Sequence, residues 1–165
     1  MKEEWYKNMT ERLRSHPKCV WLIHNFNWAS TLMIATAYVG IVFLLFYFGY
    51  PTFSKAVMVP LSGFLTLTAV RSLVNRQRPY EQFDLEPVIP KKTKGKSFPS
   101  RHIYSAFIIA FTYLYVGDIK ITGFFFLILA ILMAVVRVIS AVHFLSDVLA
   151  GIAWAAVFAF VGYCL

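Results

Sequence analysis

The stretch VRVISAVHFLSD, residues 136–147, places three ionisable side chains in an otherwise uncharged run from residue 121 to residue 165. Arg137 and His143 are six positions apart, and Asp147 follows four positions later. The long apolar segments on either side are typical of helices that cross a membrane. An ionisable group at membrane depth is costly unless it is paired or faces water. The stretch therefore indicates two membrane helices joined by a turn that carries a functional site.

The overall composition is that of a membrane protein. The 165 residues are 59% hydrophobic, and the formal net charge is +8. A soluble domain of this size would be more polar. Because the basic side chains flank apolar segments, they favour anionic lipid headgroups or a phosphate-bearing substrate, and we expect no nucleic-acid partner. We expect no cleavable signal peptide, since Glu3 and Glu4 come early and His24 interrupts the first apolar run.

Five apolar segments are predicted to cross the membrane as helices of one all-α bundle, a single domain comprising residues 1–165. Their predicted bounds are 29–50, 53–74, 100–116, 121–136 and 148–165. The first has no charge over 22 residues, enough to span a hydrocarbon core of roughly 30 Å. Several of the others are short, so we expect helix tilt or local thinning of the bilayer.

Residues 1–18 are predicted to form an amphipathic helix at the membrane interface. Trp5, Met9 and Leu13 recur every four positions, and charged side chains fill the other face. Pro17 ends this helix, because a proline disfavours a helical residue before it. A frayed cytosolic tail is the alternative, since the apolar stripe is short.

The connection formed by residues 75–99 is long for so small a protein, which indicates a function. Polar motifs stand at both of its ends, in residues 71–79 and residues 99–102. With five spans, these two ends and the turn at residues 137–147 must lie on the same face of the membrane. We therefore predict an active-site loop whose ends meet the charged turn.

The residue types on this face suit phosphate chemistry without a metal. Arg71, Arg78 and Arg137 offer fork-shaped, permanently charged donors for phosphate oxygens. His102 and His143 are able to act as acid and nucleophile near neutral pH.

Two further side chains fit the same chemistry. Asp147 lies one helical turn after His143 and is placed to fix its tautomer. Ser100 opens a helix, where an anion is favoured. The sequence has no His and carboxylate cluster dense enough to hold a metal ion, so we expect neither a metal nor a cofactor.

The three polar blocks resemble the signature of the type 2 phosphatidic acid phosphatase superfamily. That family has Lys-x6-Arg-Pro, then Pro-Ser-Gly-His, then Ser-Arg-x5-His-x3-Asp. This chain has RSLVNRQRP at residues 71–79, PSRH at residues 99–102, and Arg137-x5-His143-x3-Asp147. The resemblance covers about residues 71–164. Each block alone is a weak signal, but three in order on one face are specific.

The resemblance implies a metal-independent membrane lipid phosphatase. His143 would attack phosphorus and form a phosphohistidine, Asp147 would orient His143, and His102 would protonate the leaving oxygen and then activate water. The phosphate would be held by Arg71, Arg78, Ser100 and Arg137, with Arg101 as a further candidate. The implied substrate is a lipid phosphate of the phosphatidate, phosphatidylglycerophosphate or polyprenyl diphosphate type.

Three positions depart from the family pattern. Arg71 replaces a lysine, Arg101 replaces the glycine of Pro-Ser-Gly-His, and Val136 replaces a serine. None of these changes removes a catalytic group, so we expect activity to survive. Outside the motifs, Arg76 and the lysines of residues 91–96 are interpreted as a solvated or lipid-facing rim. Tyr80 and Glu81 are either entrance residues or structural ones.

The positive-inside rule places the N-terminal segment and the long loop in the cytosol, since only Lys55 and Lys120 lie on the other face. We therefore expect a multi-pass protein of the cell membrane with a cytosolic site, although many members of the family act on the outer face. Two other functions stay open. One is a transporter or scaffold that binds anionic lipid without turnover. The other is a vanadate site of the haloperoxidase kind, which a lipid-embedded bundle disfavours.

Overall fold

The fold is an all-helical bundle, as predicted, in a computed structural model that describes residues 2–91, 93–116 and 120–165. No strand occurs in these described ranges. The helices are α1 (Lys2–Arg14), α2 (Pro17–Tyr47), α3 (Phe53–Val74), α4 (Pro79–Gln82), α5 (Arg101–Val116), α6 (Lys120–Ile139) and α7 (Leu145–Ala159), and α7 continues into a π-helical turn (Phe160–Cys164).

Four helical segments of the described chain are long and apolar enough to cross a membrane. They are Pro17–Tyr47, Phe53–Gln82, Lys120–Ile139 and Leu145–Cys164. The remaining apolar helix, α5, has 16 residues and packs against α3, α6 and α7. It is about 24 Å long, which is shorter than a hydrocarbon core of about 30 Å. The chain is thus a membrane protein built around a short central helix.

Helix α2 begins well before the predicted start at residue 29. Pro17 occupies its first turn, where the missing amide is no loss, and His16 before it is extended. The polar residues that follow do not break the helix, since Asn25 Nδ2 donates to the carbonyl oxygen of Trp21 at 2.8 Å. The predicted start was wrong because a polar turn of helix is tolerated outside the hydrocarbon core.

Helix α1 is amphipathic, and its Tyr6 side packs inside the protein. Tyr6 and Thr10 are buried, whereas Trp5 is 45% exposed. The Tyr6 ring lies 6.0 Å from the Phe83 ring and 5.8 Å from the Phe144 ring, measured between centroids. This side of the helix therefore packs on the turn between α6 and α7, and the placement of the helix at a membrane interface stays a prediction.

Helix α3 contains Pro60 in its interior, where a proline leaves the carbonyl four positions earlier without an amide donor. That carbonyl belongs to Ala56, and it accepts a hydrogen bond from Tyr38 Oη of α2 at 3.1 Å. The Pro60 carbonyl accepts one from Tyr104 Oη of α5 at 2.9 Å. A side chain at Gly63 would collide with the Tyr104 hydroxyl. Two tyrosine hydroxyls thus donate hydrogen bonds to carbonyl oxygens of α3, a helix apolar enough to cross a membrane, where water is scarce.

Tyr38→Phe is expected to lower the melting temperature of the detergent-solubilised protein. The change leaves the Ala56 carbonyl without its donor, which costs about 1 kcal/mol in membrane helices. Tyr47, on the same helix but 70% exposed, provides the control, and Tyr47→Phe should leave the melting temperature unchanged. Equal shifts for the two variants would show that the Tyr38 hydroxyl does not hold α3.

Candidate active site

The loop of residues 75–99 is fixed to the turn between α6 and α7 by backbone hydrogen bonds. Tyr80 N donates to the Ala141 carbonyl, and Val88 N donates to the Ser140 carbonyl, both at 3.3 Å. At the other end of the loop, Ser100 N donates to the Asp147 carbonyl at 3.0 Å. The two ends of the long connection are therefore held against the charged turn.

Tyr80 and Glu81 have structural contacts. Glu81 Oε2 accepts from the backbone amides of Arg78 at 3.0 Å and Gly95 at 2.8 Å. The Tyr80 hydroxyl donates to the Thr93 carbonyl, and its side chain is buried. These contacts agree with the interpretation of Tyr80 and Glu81 as structural residues.

Arg71 and Arg78 are buried and held by backbone carbonyl oxygens. Arg71 Nη1 donates to the Pro99 carbonyl at 2.7 Å. Arg78 Nη1 donates to the Val142 carbonyl at 3.2 Å. Each guanidinium has five N–H donors, so both keep donors free for a ligand. With Lys91 and His102 they line a polar cavity of about 340 Å³.

Arg137 and Ser100 are buried with unpaired polar atoms. Arg137 is 2% exposed and Ser100 is fully buried. Arg137 Nε and Ser100 Oγ have no hydrogen-bond partner within the described structure. A buried charge is costly unless an opposite charge compensates it. A cationic side chain and a hydroxyl left in this state are suited to an anion with several oxygen acceptors.

His143 and Asp147 form a buried pair at the start of α7. His143 Nδ1 lies 3.5 Å from Asp147 Oδ2. Ser97 Oγ donates to that same Oδ2 and lies 3.3 Å from Nδ1, so it bridges the two side chains. Phe144 N also donates to Oδ2, at 2.9 Å. With Nδ1 directed at the carboxylate, Nε2 is the ring nitrogen left for chemistry.

The imidazole of His143 is neutral at physiological pH. Burial lowers its pKa to about 4, and the charges of Arg78 and Arg137 act in the same direction. The hydrogen bond to Asp147 opposes this shift but does not overcome it. Only the neutral ring has a lone pair with which to attack an electrophile.

His102 and Arg101 stand between two cavities. Both line the polar cavity with the arginines, and both also line an apolar cavity of about 360 Å³. The apolar cavity lies among α2, α3, α5 and α6, with Ile34, Phe64 and Met133 in its wall. A ligand whose reacting group lies near His102 therefore has an adjacent cavity for an apolar portion.

Arg76 and Lys91 are not the rim residues that the sequence suggested. Arg76 Nη1 donates to Asp147 Oδ1 at 2.9 Å. Lys91 is partly buried, and burial together with the charges of Arg137 and Arg78 lowers its pKa to about 8. The other lysines, Lys94 and Lys96, line the polar cavity, whereas Lys92 lies outside the described residues.

The structure brings all eight predicted site residues to one end of the bundle, namely Arg71, Arg78, Ser100, Arg101, His102, Arg137, His143 and Asp147. In the described part of the chain, no group of three or more His, Cys, Asp or Glu side chains is placed to hold a metal ion. Several cationic side chains and a neutral imidazole thus lie at one end of the bundle. Such an arrangement is suited to phosphoryl transfer.

A family model of the PAP2 superfamily matches residues 51–165, which include every one of these motif residues. The chain belongs to the PAP2 superfamily. The resemblance of the three polar blocks to that family is therefore confirmed. A comparison with curated protein sequences finds no match.

Two crystal structures share the fold of this PAP2 protein. LpxE of Aquifex aeolicus is 19% identical, with a TM-score of 0.76, and the match covers 98% of this chain and 94% of that one. A transmembrane PAP2-type phosphatidylglycerolphosphate phosphatase of Bacillus subtilis is 20% identical, with a TM-score of 0.73 and coverage of 98% and 82%. At these identities the likeness concerns the fold.

Proposed function

We propose that this PAP2 protein is a lipid phosphatase that works through a phosphohistidine and needs no metal ion. One observation supports it most strongly. Arg137 Nε and Ser100 Oγ are buried without a hydrogen-bond partner among the described residues, at the same end of the bundle as the neutral His143. A phosphate group offers the negative charge and the oxygen acceptors that these donors lack.

The proposed reaction has two displacements at phosphorus. His143 Nε2 attacks and the bond from phosphorus to the lipid oxygen breaks. Burial and the charges of Arg137 and Lys91 lower the pKa of His102, so His102 takes up its proton when the phosphate dianion binds and offsets those charges, and it then gives that proton to the lipid oxygen. Water then attacks the phosphohistidine, His102 takes a proton from it, and the bond from phosphorus to nitrogen breaks. Arg71, Arg78 and Arg137 stabilise the charge on the phosphoryl oxygens in both steps.

The proposed substrate is an amphiphile, since the polar cavity and the apolar cavity meet at His102 and Arg101. The phosphate would enter the first and part of the lipid chain the second. One relative in fold is a phosphatidylglycerolphosphate phosphatase. We extend the proposal to phosphatidate, phosphatidylglycerophosphate and polyprenyl diphosphates, with the site facing the cytosol.

Phosphate release by the purified protein, with these three lipids and excess EDTA, tests the proposal. We expect release from at least one of them, together with an acid-labile phosphoenzyme. Binding of one lipid per protein without release would instead indicate the transporter or scaffold. Release that stops when EDTA is added would contradict the metal-free mechanism.

The value of kcat/KM is expected to fall above about pH 8, with the fall arising from Lys91. Because the lowered pKa of Lys91 is about 8, the free enzyme loses one positive charge from its phosphate pocket as the pH rises through that value. Lys91→Arg keeps the charge and should remove this fall. Lys55→Arg, at an exposed position away from the pocket, is the control. An unchanged profile in Lys91→Arg would exclude Lys91 as its origin.

A further inference from the structure

Asp147 has a cationic partner that the proposed reaction does not use. Arg76 Nη1 lies 2.9 Å from Asp147 Oδ1 and 2.8 Å from Ser146 Oγ, and it donates to both. The Arg76 guanidinium also stacks over the Phe144 ring, with its central carbon 4.2 Å from the ring centroid. Asp147 is fully buried, whereas the Arg76 side chain is 37% exposed. Arg76 therefore reaches from the surface to the buried carboxylate.

The two oxygens of Asp147 have different partners. Oδ2 accepts from Ser97 Oγ and Phe144 N, and it faces His143. Oδ1 accepts from Arg76, which is the one donor to that oxygen among the described residues. Without Arg76, Oδ1 would be buried with no donor among the described residues, and loss of the opposite charge would favour protonation of the carboxylate.

The backbone of Arg76 also helps to fix the Asp147 carboxylate, because it holds Ser97 in place. The Arg76 carbonyl oxygen accepts a hydrogen bond from Ser97 N at 2.8 Å. Ser97 is the residue whose hydroxyl bridges Asp147 Oδ2 and His143 Nδ1. The side chain of Arg76 thus fixes one oxygen, and its main chain holds the residue that fixes the other.

Phosphate binding is a weaker explanation for Arg76. The described residues that line the polar cavity include Arg71, Arg78 and Arg101 but not Arg76. Nη1 is engaged by Asp147 and Ser146, and the guanidinium lies over the Phe144 ring. A cation over an aromatic ring that also makes directed hydrogen bonds is a use for which arginine is preferred over lysine.

We infer that Arg76 is a positioning residue of the proposed phosphatase: it holds Asp147 ionised and oriented, so that Asp147 keeps His143 in the tautomer with its proton on Nδ1. The inference rests on the proposed function for its kinetic consequence. It goes beyond that function because it assigns control of the His143 tautomer to Arg76, a residue outside the phosphate pocket.

The kinetic test compares Arg76→Ala, Arg76→Lys and the surface control Arg12→Ala, with dioctanoyl phosphatidate in detergent micelles as the probe. We expect Arg76→Ala to lower kcat on the order of 100-fold, the effect of a small misplacement of a reacting group, with KM nearly unchanged. Arg76→Lys should recover part of kcat.

In an Asp147→Asn background, Arg76→Ala should cause no further loss. A rise in KM with kcat unchanged, or a full additional loss in that background, overturns the inference.

A spectroscopic test does not depend on turnover. In protein with ¹⁵N-labelled histidine, the ring signals of His143 are assigned by their absence from His143→Ala. We expect the Nδ1–H tautomer in the wild type and in Arg12→Ala, and a mixture of tautomers in Arg76→Ala. If the wild type hydrolyses no lipid phosphate, the proposed function fails, and this spectrum alone decides the role of Arg76. An unchanged His143 tautomer in folded Arg76→Ala overturns it.

Discussion

Replacing His143 with alanine is expected to abolish hydrolysis of every lipid phosphate that the wild type accepts. The loss of kcat should be on the order of 10⁶-fold, as when the nucleophile of another covalent mechanism is removed. No other neutral imidazole is held with one nitrogen against a buried carboxylate in the described part of the chain. Radiolabelled lipid phosphate should label the wild type transiently and leave His143→Ala unlabelled.

Two controls separate chemistry from folding. His143→Gln keeps more of the buried volume than alanine and should be equally inactive, since an amide does not attack phosphorus. His24→Ala removes an exposed histidine of α2 and should retain both labelling and turnover. Residual turnover of His143→Ala near the wild-type rate would assign the nucleophile to another residue.

Arg137→Met is expected to lose activity and to gain thermal stability. The guanidinium contributes to charge stabilisation at phosphorus, and removing such a donor lowers kcat by about 10²–10³-fold. The same guanidinium is buried, and its Nε has no hydrogen-bond partner among the described residues. An apolar side chain of similar volume relieves that cost, so the melting temperature should rise.

Binding of orthovanadate, measured by the melting temperature, tests whether Arg137 contacts the phosphoryl group. As an analogue of a five-coordinate phosphorus, it should raise the melting temperature of the wild type and leave that of Arg137→Met unchanged. Arg137→Lys keeps the charge but lacks the planar fork, so an intermediate response is expected. A lower melting temperature for Arg137→Met in the absence of any anion would mean that Arg137 is compensated in the empty protein.

Hydropathy was sufficient to predict the helical bundle and the face on which its motifs meet. The bundle follows from apolar segments of spanning length, and the shared face follows from counting them. The start of α2 was not predictable in the same way. Polar residues such as His24 and Asn25 interrupt an apolar run, yet they remain helical, and the Asn25 side chain donates to a carbonyl of its own helix.

Arg76 and Ser97 could not be assigned from the sequence. Each lies close to a motif, but their contacts depend on the path of the intervening loop. That path is set by hydrogen bonds from the loop to the turn between α6 and α7, which leave no periodic signal in the sequence. The sequence offers only a weak hint, namely that Ser97 precedes Ser100 by three positions.

The pairing of Tyr38 with the Ala56 carbonyl is expected to couple the substitutions that positions 38 and 60 tolerate. The Tyr38 hydroxyl is needed because Pro60 has no amide to donate to that carbonyl. An alanine at position 60 would supply the amide, and the hydroxyl would then become dispensable. Tyr38→Phe should therefore be harmful beside Pro60 and nearly neutral beside Pro60→Ala. A substitution in α3 thus decides which substitutions α2 tolerates.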